Sequence, residues 1–109
     1  MSINTIQLDS YTKDLAASAT AENLVADSGA QWKFARSVII RAVPGNTGNL
    51  TVGNVTRQAT LLDGGEVLTL PVIINNAGAS AKYALEEIFV KADTNGDDVI
   101  ITLIEPSND

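Results

Sequence analysis

Apolar and polar residues alternate most regularly along residues 88–104, IFVKADTNGDDVIITLI. Asn95-Gly96 in the middle of this stretch is a strong hairpin signal, because a type I′ turn needs positive φ at both of its central positions. With the turn there, Ala92 pairs with Val99, and the side chains alternate between the two faces of the ribbon. The pattern therefore predicts a β-hairpin with one buried face, formed by Ile88, Val90, Ala92, Val99, Ile101 and Leu103.

Further strands are predicted at short intervals, separated by turns rich in Gly, Asn and Pro. Residues 34–43 are the clearest central strand, since their β-branched residues suit a packed sheet. The loop at 44–49, PGNTGN, leads into a return strand at 50–55, which predicts a second hairpin. Residues 66–74 form a strand that Pro71 confines to an edge or a bulge. Short strands are also predicted at 15–17, 23–26 and 82–85, with turns at 27–29 and 61–65 and a helical turn within 85–88.

Two segments near the N-terminus carry mixed signals. Residues 12–30 are rich in alanine, which favours helix, but their apolar residues also alternate as in a strand, and both readings stay open. Residues 1–10 are a first strand or an extended arm. Short strands with such turns indicate one all-β domain over residues 1–109, an antiparallel β-sandwich or jelly roll.

The composition narrows the range of functions. The 109 residues include no Cys and no His, which leaves no thiolate metal site and removes both the usual general base and the commonest metal ligand. The net charge of −6 and the scattered Lys and Arg residues argue against nucleic acid as a partner. The N-terminal residues do not resemble a signal peptide, and no apolar run is long enough to span a membrane, so synthesis in the cytoplasm is expected.

The second face of the last two strands is unusually apolar. Phe89, Ile100 and Ile104 lie opposite the residues predicted to be buried, whereas one face of a free two-layer domain is normally polar. Exposed apolar surface of this kind usually marks an interaction site. These three residues are therefore the predicted interface, and the chain is expected to self-associate unless its own N-terminal segment covers them.

The acidic tip DTNGDD invites comparison with catalytic and metal sites. A calcium loop needs a bidentate Glu at position twelve, where this chain has Ile104. The predicted register sets Asp93 opposite Asp98, a like-charge pair that a loosely held cation would relieve, and a solvated hairpin tip is the simpler reading. A glycosidase pair would need a cleft, which a hairpin tip does not give. Trp32 and Tyr83 suit the core better than a sugar platform, and neither a catalytic residue nor a cofactor is predicted.

Four short turn and strand motifs follow one another along about residues 20–104. Their residues are Thr20, Ala21, Leu24, Asn46, Thr47, Gly48, Asn49, Val52, Gly53, Gly65, Glu66, Leu68, Thr69, Leu70, Pro71, Val90, Ala92, Asp93, Gly96 and Val99. In this order the motifs resemble those of a group of small β-rich proteins encoded by tailed bacteriophages and prophages. Phe89 stands where the group usually has tyrosine, and the insertion at 75–84 is longer than in other members.

The resemblance implies a structural component of a virion and no enzymatic activity. The expected role is a head decoration, or cement, protein that binds the major capsid protein, with a homotrimer as the favoured assembly. A receptor- or carbohydrate-binding module associated with the tail or a fibre is the alternative. The motifs specify a fold more than an activity, so the residues that carry them are expected to have structural roles.

Overall fold

The strands of this chain account for its architecture. A computed structural model describes residues 7–15, 20–26, 32–74, 81–94 and 96–108, and within them the one helical segment is a 3-10 turn, Leu85–Glu87. The predicted all-β class is confirmed. The strands are β1 (Leu8–Asp14), β2 (Glu22–Asn23), β3 (Phe34–Ala42), β4 (Leu50–Gly53), β5 (Gln58–Leu62), β6 (Val67–Leu70), β7 (Tyr83–Ala84), β8 (Phe89–Ala92) and β9 (Asp98–Ser107).

These strands form two antiparallel sheets. The five-stranded sheet has the order β1-β9-β3-β6, with β7 also paired to β3, and the four-stranded sheet has the order β2-β8-β4-β5. Both sheets contribute buried side chains to one hydrophobic cluster, including Val38 and Ile101 from the first sheet and Leu50 and Val90 from the second. The face of each sheet turned away from this cluster is called its outer face below.

The central strand predicted at 34–43 is confirmed as β3, which lies between β9 and β6. Val38, Ile40 and Ala42 are fully buried, and Ile39 between them faces the other side. A β-branched run suits this position because both faces of the strand are at least partly covered. The neighbouring β6 is an edge strand, as predicted from Pro71, which cannot donate to the ladder, and it ends directly before this proline at Leu70.

The hairpin predicted at 88–104 is wrong in its pairing and right in its buried face. β8 pairs with β2 and β4, whereas β9 pairs with β1 and β3, so the two strands belong to different sheets. Ala92 and Val99 are both buried but are not cross-strand partners. The turn around Gly96, which has a φ of 87°, carries the chain from one sheet to the other. The apolar residues therefore meet across the core instead of lining one ribbon.

The second predicted hairpin, between 34–43 and 50–55, fails for the same reason. β3 lies in the five-stranded sheet, and β4 pairs with β5 and β8 in the other. The consecutive described strands that do pair with each other are β4 and β5, with an irregularity at Gly53. A Cβ on Gly53 would lie 2.0 Å from the main-chain oxygen of Arg57, so the tight turn excludes any larger residue.

The N-terminal strand is polar where it faces the core. Residues 8–10 belong to β1 and not to a free arm, and residues 1–6 lie outside the described part. Lys13 is buried, and its Nζ donates to the main-chain oxygens of Asn23 (2.9 Å) and Val25 (2.7 Å). The hydroxyl of Tyr11 donates to the main-chain oxygen of Leu24. These bonds attach β1 to the segment around β2.

The mixed signals over residues 12–30 resolve partly into strands. Thr12 ends up within β1, and Glu22–Asn23 forms β2, which is shorter than the predicted strand at 23–26. Leu15 is buried just beyond β1, whereas the rest of the predicted strand at 15–17 and the predicted turn at 27–29 lie outside the described residues. The short strand β7 and the helical turn that follows it agree with the predictions for 82–88.

Candidate interaction surfaces

The three residues predicted as an interface do not form one patch. Ile100 and Ile104 lie on β9 in the five-stranded sheet, and Phe89 lies on β8 in the four-stranded sheet. All three are partly exposed. Phe89 borders a cavity of about 520 Å³ with Val55 and the acidic Glu86 and Glu87. The predicted interface is thus divided between two outer faces, because the strands that carry it are in different sheets.

The outer face of the five-stranded sheet is mostly uncharged. Directly opposed residues of antiparallel strands share a face, so the registers define its rows. One row contains Leu8 and Ile104, and the next contains Thr102 and Ile39, with Ser10 Oγ 3.2 Å from Thr102 Oγ1. Leu8 and Val67 at the two edges are 66% and 51% exposed. Further members of this face are Thr12, Asp14, Arg41, Thr69, Asp98 and Ile100.

A second exposed apolar feature extends from the edge of the same sheet. Beyond β6, Val72, Ile73 and Ile74 are 41%, 51% and 61% exposed. The main-chain oxygen of Ile73 accepts a hydrogen bond of 2.8 Å from the N–H of Ala81. Residues 71–74 are called the β6 extension below. The strand predicted at 66–74 included these aliphatic residues, whereas β6 ends at Leu70.

The two polar loops at the other end of the molecule bind each other. The carboxylate of Asp97 is buried and accepts hydrogen bonds from the N–H groups of Thr47 (2.9 Å) and Gly48 (2.8 Å). The side chain of Asn46 donates to the main-chain oxygen of Asp98 and accepts from its N–H, both at 2.9 Å. This loop clamp joins the connection after β3 to the connection before β9.

Close packing in the loop clamp explains why position 48 is a glycine. A Cβ on Gly48 would lie 2.5 Å from the Oγ1 of Thr94, so a larger residue would force the loops apart. The N–H of Asp93 also donates to the main-chain oxygen of Asn49 at 3.0 Å. Residues that looked like turn formers in the sequence therefore have specific partners in a second loop.

The acidic residues near the loop clamp do not have the predicted arrangement. Asp98 is the cross-strand neighbour of Asp14 on β1, and not of Asp93. Burial, and then the nearby charge of Asp14, raise the pKa of Asp98 above its usual value. Asp97 is engaged by the loop at 44–49. The described residues contain no group of three or more potential metal ligands, so a cation at Asp93 and Asp98 finds no further support.

The two aromatic residues considered as sugar platforms are both packed against the core. Trp32 is partly buried, and its Nε1 donates to Asp9 Oδ2 at 2.8 Å. The hydroxyl of Tyr83 donates to the main-chain oxygen of Pro71 at 2.7 Å. These contacts anchor the rings to β1 and to the base of the β6 extension, which favours a structural role for both.

Comparison of the chain with protein-family models, with curated proteins and with solved structures found no match. Within the described residues, no helix has the length and apolar character needed to span a membrane.

Proposed function

We propose that this protein is a structural component of a bacteriophage virion, a decoration protein that binds the major capsid protein and stabilises the head. In this proposal the two sheets form a β-sandwich, the protein has no enzymatic activity, and it assembles with copies of itself, most simply as a trimer. Its site of action is the virion, after synthesis in the host cytoplasm.

The observation that carries this proposal is the exposed aliphatic surface of the five-stranded sheet and its edge, on a chain with a net charge of −6. The outer face of the five-stranded sheet and the β6 extension expose Leu8, Val67, Ile73 and Ile74, each more than half exposed. Exposed apolar surface that continues over neighbouring elements is typical of an interaction site. Repetition of a modest contact around a shell gives a large total stabilisation through multivalency.

The roles of the motif residues also support the proposal. Asn46, Thr47 and Gly48, which belong to the motif shared with the phage proteins, are held in the loop clamp. Gly96 of the last motif takes the positive φ that its turn requires. A set of shared residues devoted to loop geometry is typical of a protein selected for its shape and surfaces.

The test adds the purified protein to expanded capsids that lack it and counts bound copies by electron microscopy. The proposal predicts density at regularly repeated positions on the outside of the shell, and capsids that resist heating better than untreated ones. Bare capsids at a saturating protein concentration would refute the decoration role. Binding to a glycan array or to phage tails, with no binding to capsids, would instead favour the alternative of a receptor- or carbohydrate-binding module.

A further inference from the structure

The β6 extension separates from its own sheet. β6 pairs with β3 as far as Leu70, which is opposite Val38, and β7 takes over the pairing with β3 at Ala35. The Oγ of Ser37 donates to the main-chain oxygen of Leu70 at 2.8 Å and closes the ladder at that point. The chain therefore leaves the ladder with β3 after Leu70 and returns to it at Tyr83.

The aliphatic side chains of this extension are exposed among the residues that the structure describes. Val72, Ile73 and Ile74 follow one another, and their exposure rises along the chain, from 41% to 61%. A run of three exposed aliphatic side chains suits contact with another apolar surface.

Charge selects where a second copy can be contacted. Residues 71–81 contain no charged side chain, although the chain as a whole has a net charge of −6. Two copies repel each other, so contact is favoured between surfaces that both lack acidic groups. The middle rows of the outer face of the five-stranded sheet, with Leu8, Ile39 and Ile104, meet this condition, and its acidic residues lie at one end.

The outer face of the four-stranded sheet suits the extension less well. It carries Lys91 beside Thr51, and Glu86 and Glu87 border its cavity next to Phe89. An uncharged aliphatic segment placed there would remove water from charged groups without pairing them, which is unfavourable. The rows of the five-stranded sheet that contain Leu8, Ile104 and Ile39 carry no charge, and they therefore match the β6 extension better.

We infer that the β6 extension of one copy packs, through Val72, Ile73 and Ile74, on the outer face of the five-stranded sheet of a second copy. Donor and acceptor are different surfaces of the same chain, so every copy gives one extension and receives one. Such a contact closes either as a reciprocal pair or as a ring. The area that one extension can bury is small beside the roughly 800 Å² per partner of a standard interface. Because every copy exchanges an extension, the contact is repeated around the assembly and the buried areas add up.

This inference deepens the self-association part of the proposed function and is tested on purified protein without capsids. The chain has no native Cys, so each engineered thiol is unique in its subunit. Ile73→Cys supplies a thiol on the extension, and Ser10→Cys and Thr69→Cys supply thiols on exposed positions of the acceptor face. Leu61→Cys is the control acceptor, because Leu61 is exposed like Ser10 and Thr69 but lies on the other sheet.

Each acceptor variant is refolded together with a tagged Ile73→Cys chain, oxidised, and examined for a mixed disulfide-linked dimer. A mixed dimer with Ser10→Cys or Thr69→Cys, in clear excess over that with Leu61→Cys, is the expected result. Equal yields for all three, or mixed dimers with neither acceptor variant, would overturn the inference. Cross-linking without capsid binding would refute the decoration role alone, and capsid binding without cross-linking would refute this contact alone.

Discussion

Removal of the Asp97 carboxylate should loosen the loop clamp and destabilise the whole fold. Asp97 is 5% exposed and accepts two main-chain hydrogen bonds, from Thr47 and Gly48. A hydrogen bond to a charged group contributes about 1.5–3 kcal/mol, and a buried donor left without a partner costs about 1–3 kcal/mol. Thr47 is exposed and Gly48 is partly exposed, so water would satisfy part of this loss.

The expected destabilisation is therefore about 2–4 kcal/mol for Asp97→Ala, and about 1–2 kcal/mol for Asp97→Asn, which keeps one acceptor oxygen. A domain of this size is stable by about 5–15 kcal/mol, so the Ala variant should lose a large part of its free energy of unfolding. Because two connections between the sheets are held here, the loss should be global and not confined to the loops.

Urea unfolding followed by the fluorescence of Trp32, the single tryptophan, measures this free energy. Asp93→Asn is the control, because Asp93 lies in the same acidic loop but is exposed, and it should change stability by less than about 0.5 kcal/mol. Equal midpoints for Asp97→Ala and Asp93→Asn would show that the loop clamp does not stabilise the fold.

Three further changes probe other parts of the same framework. Lys13→Met leaves two main-chain oxygens around β2 without their donor and should cost about 2–4 kcal/mol in urea unfolding; a change under about 0.5 kcal/mol would contradict the attachment of β1 to β2. The raised pKa of Asp98 means that protonated Asp98 stabilises the folded state at acidic pH, and that this stabilisation is lost as the pH rises through that pKa. Because the charge of Asp14 contributes to the shift, Asp14→Asn should stabilise the protein at neutral pH and have no effect near about pH 3. Urea midpoints that shift equally at both pH values would refute this. Gly48→Ala should cost about 1–3 kcal/mol by thermal unfolding, and Thr94→Ala should relieve part of it; strict additivity of the two would argue against their contact.

Alternation along the chain predicted which side chains face the core but not which strands pair. Val90, Ala92, Val99 and Ile101 were expected on one buried face, and all four are buried. A period of two fixes the face of a residue relative to its neighbours within a strand. It does not distinguish a hairpin from a connection that crosses between sheets, since both bring the same apolar sides together.

Turn signals were similarly ambiguous. Gly96 does take a positive φ, which is all that the local sequence around it demands. Whether the strands before and after such a turn pair depends on their other neighbours, β1 and β3 on one side and β2 and β4 on the other. These partners are distant in sequence, so no short-range pattern reports them.

The buried contacts of Lys13 on β1 could not be predicted, because lysine side chains usually lie at the surface. Lys13 is instead buried, and its Nζ donates to two main-chain oxygens near β2. The β6 extension was likewise hidden, because Val72, Ile73 and Ile74 have the composition of a buried strand. Only the end of the ladder at Leu70 distinguishes them from one.

The mass of the purified protein in solution tests the central claim most directly, namely that its exposed aliphatic surface is covered by other copies. Sedimentation velocity at micromolar concentration should give a multiple of the 11.4 kDa chain mass, three times that value for a trimer. Ile73→Lys should shift the protein toward the monomer, and Leu61→Lys, at similar exposure, should not. A wild-type protein that sediments as an 11.4 kDa monomer throughout this range would contradict the account.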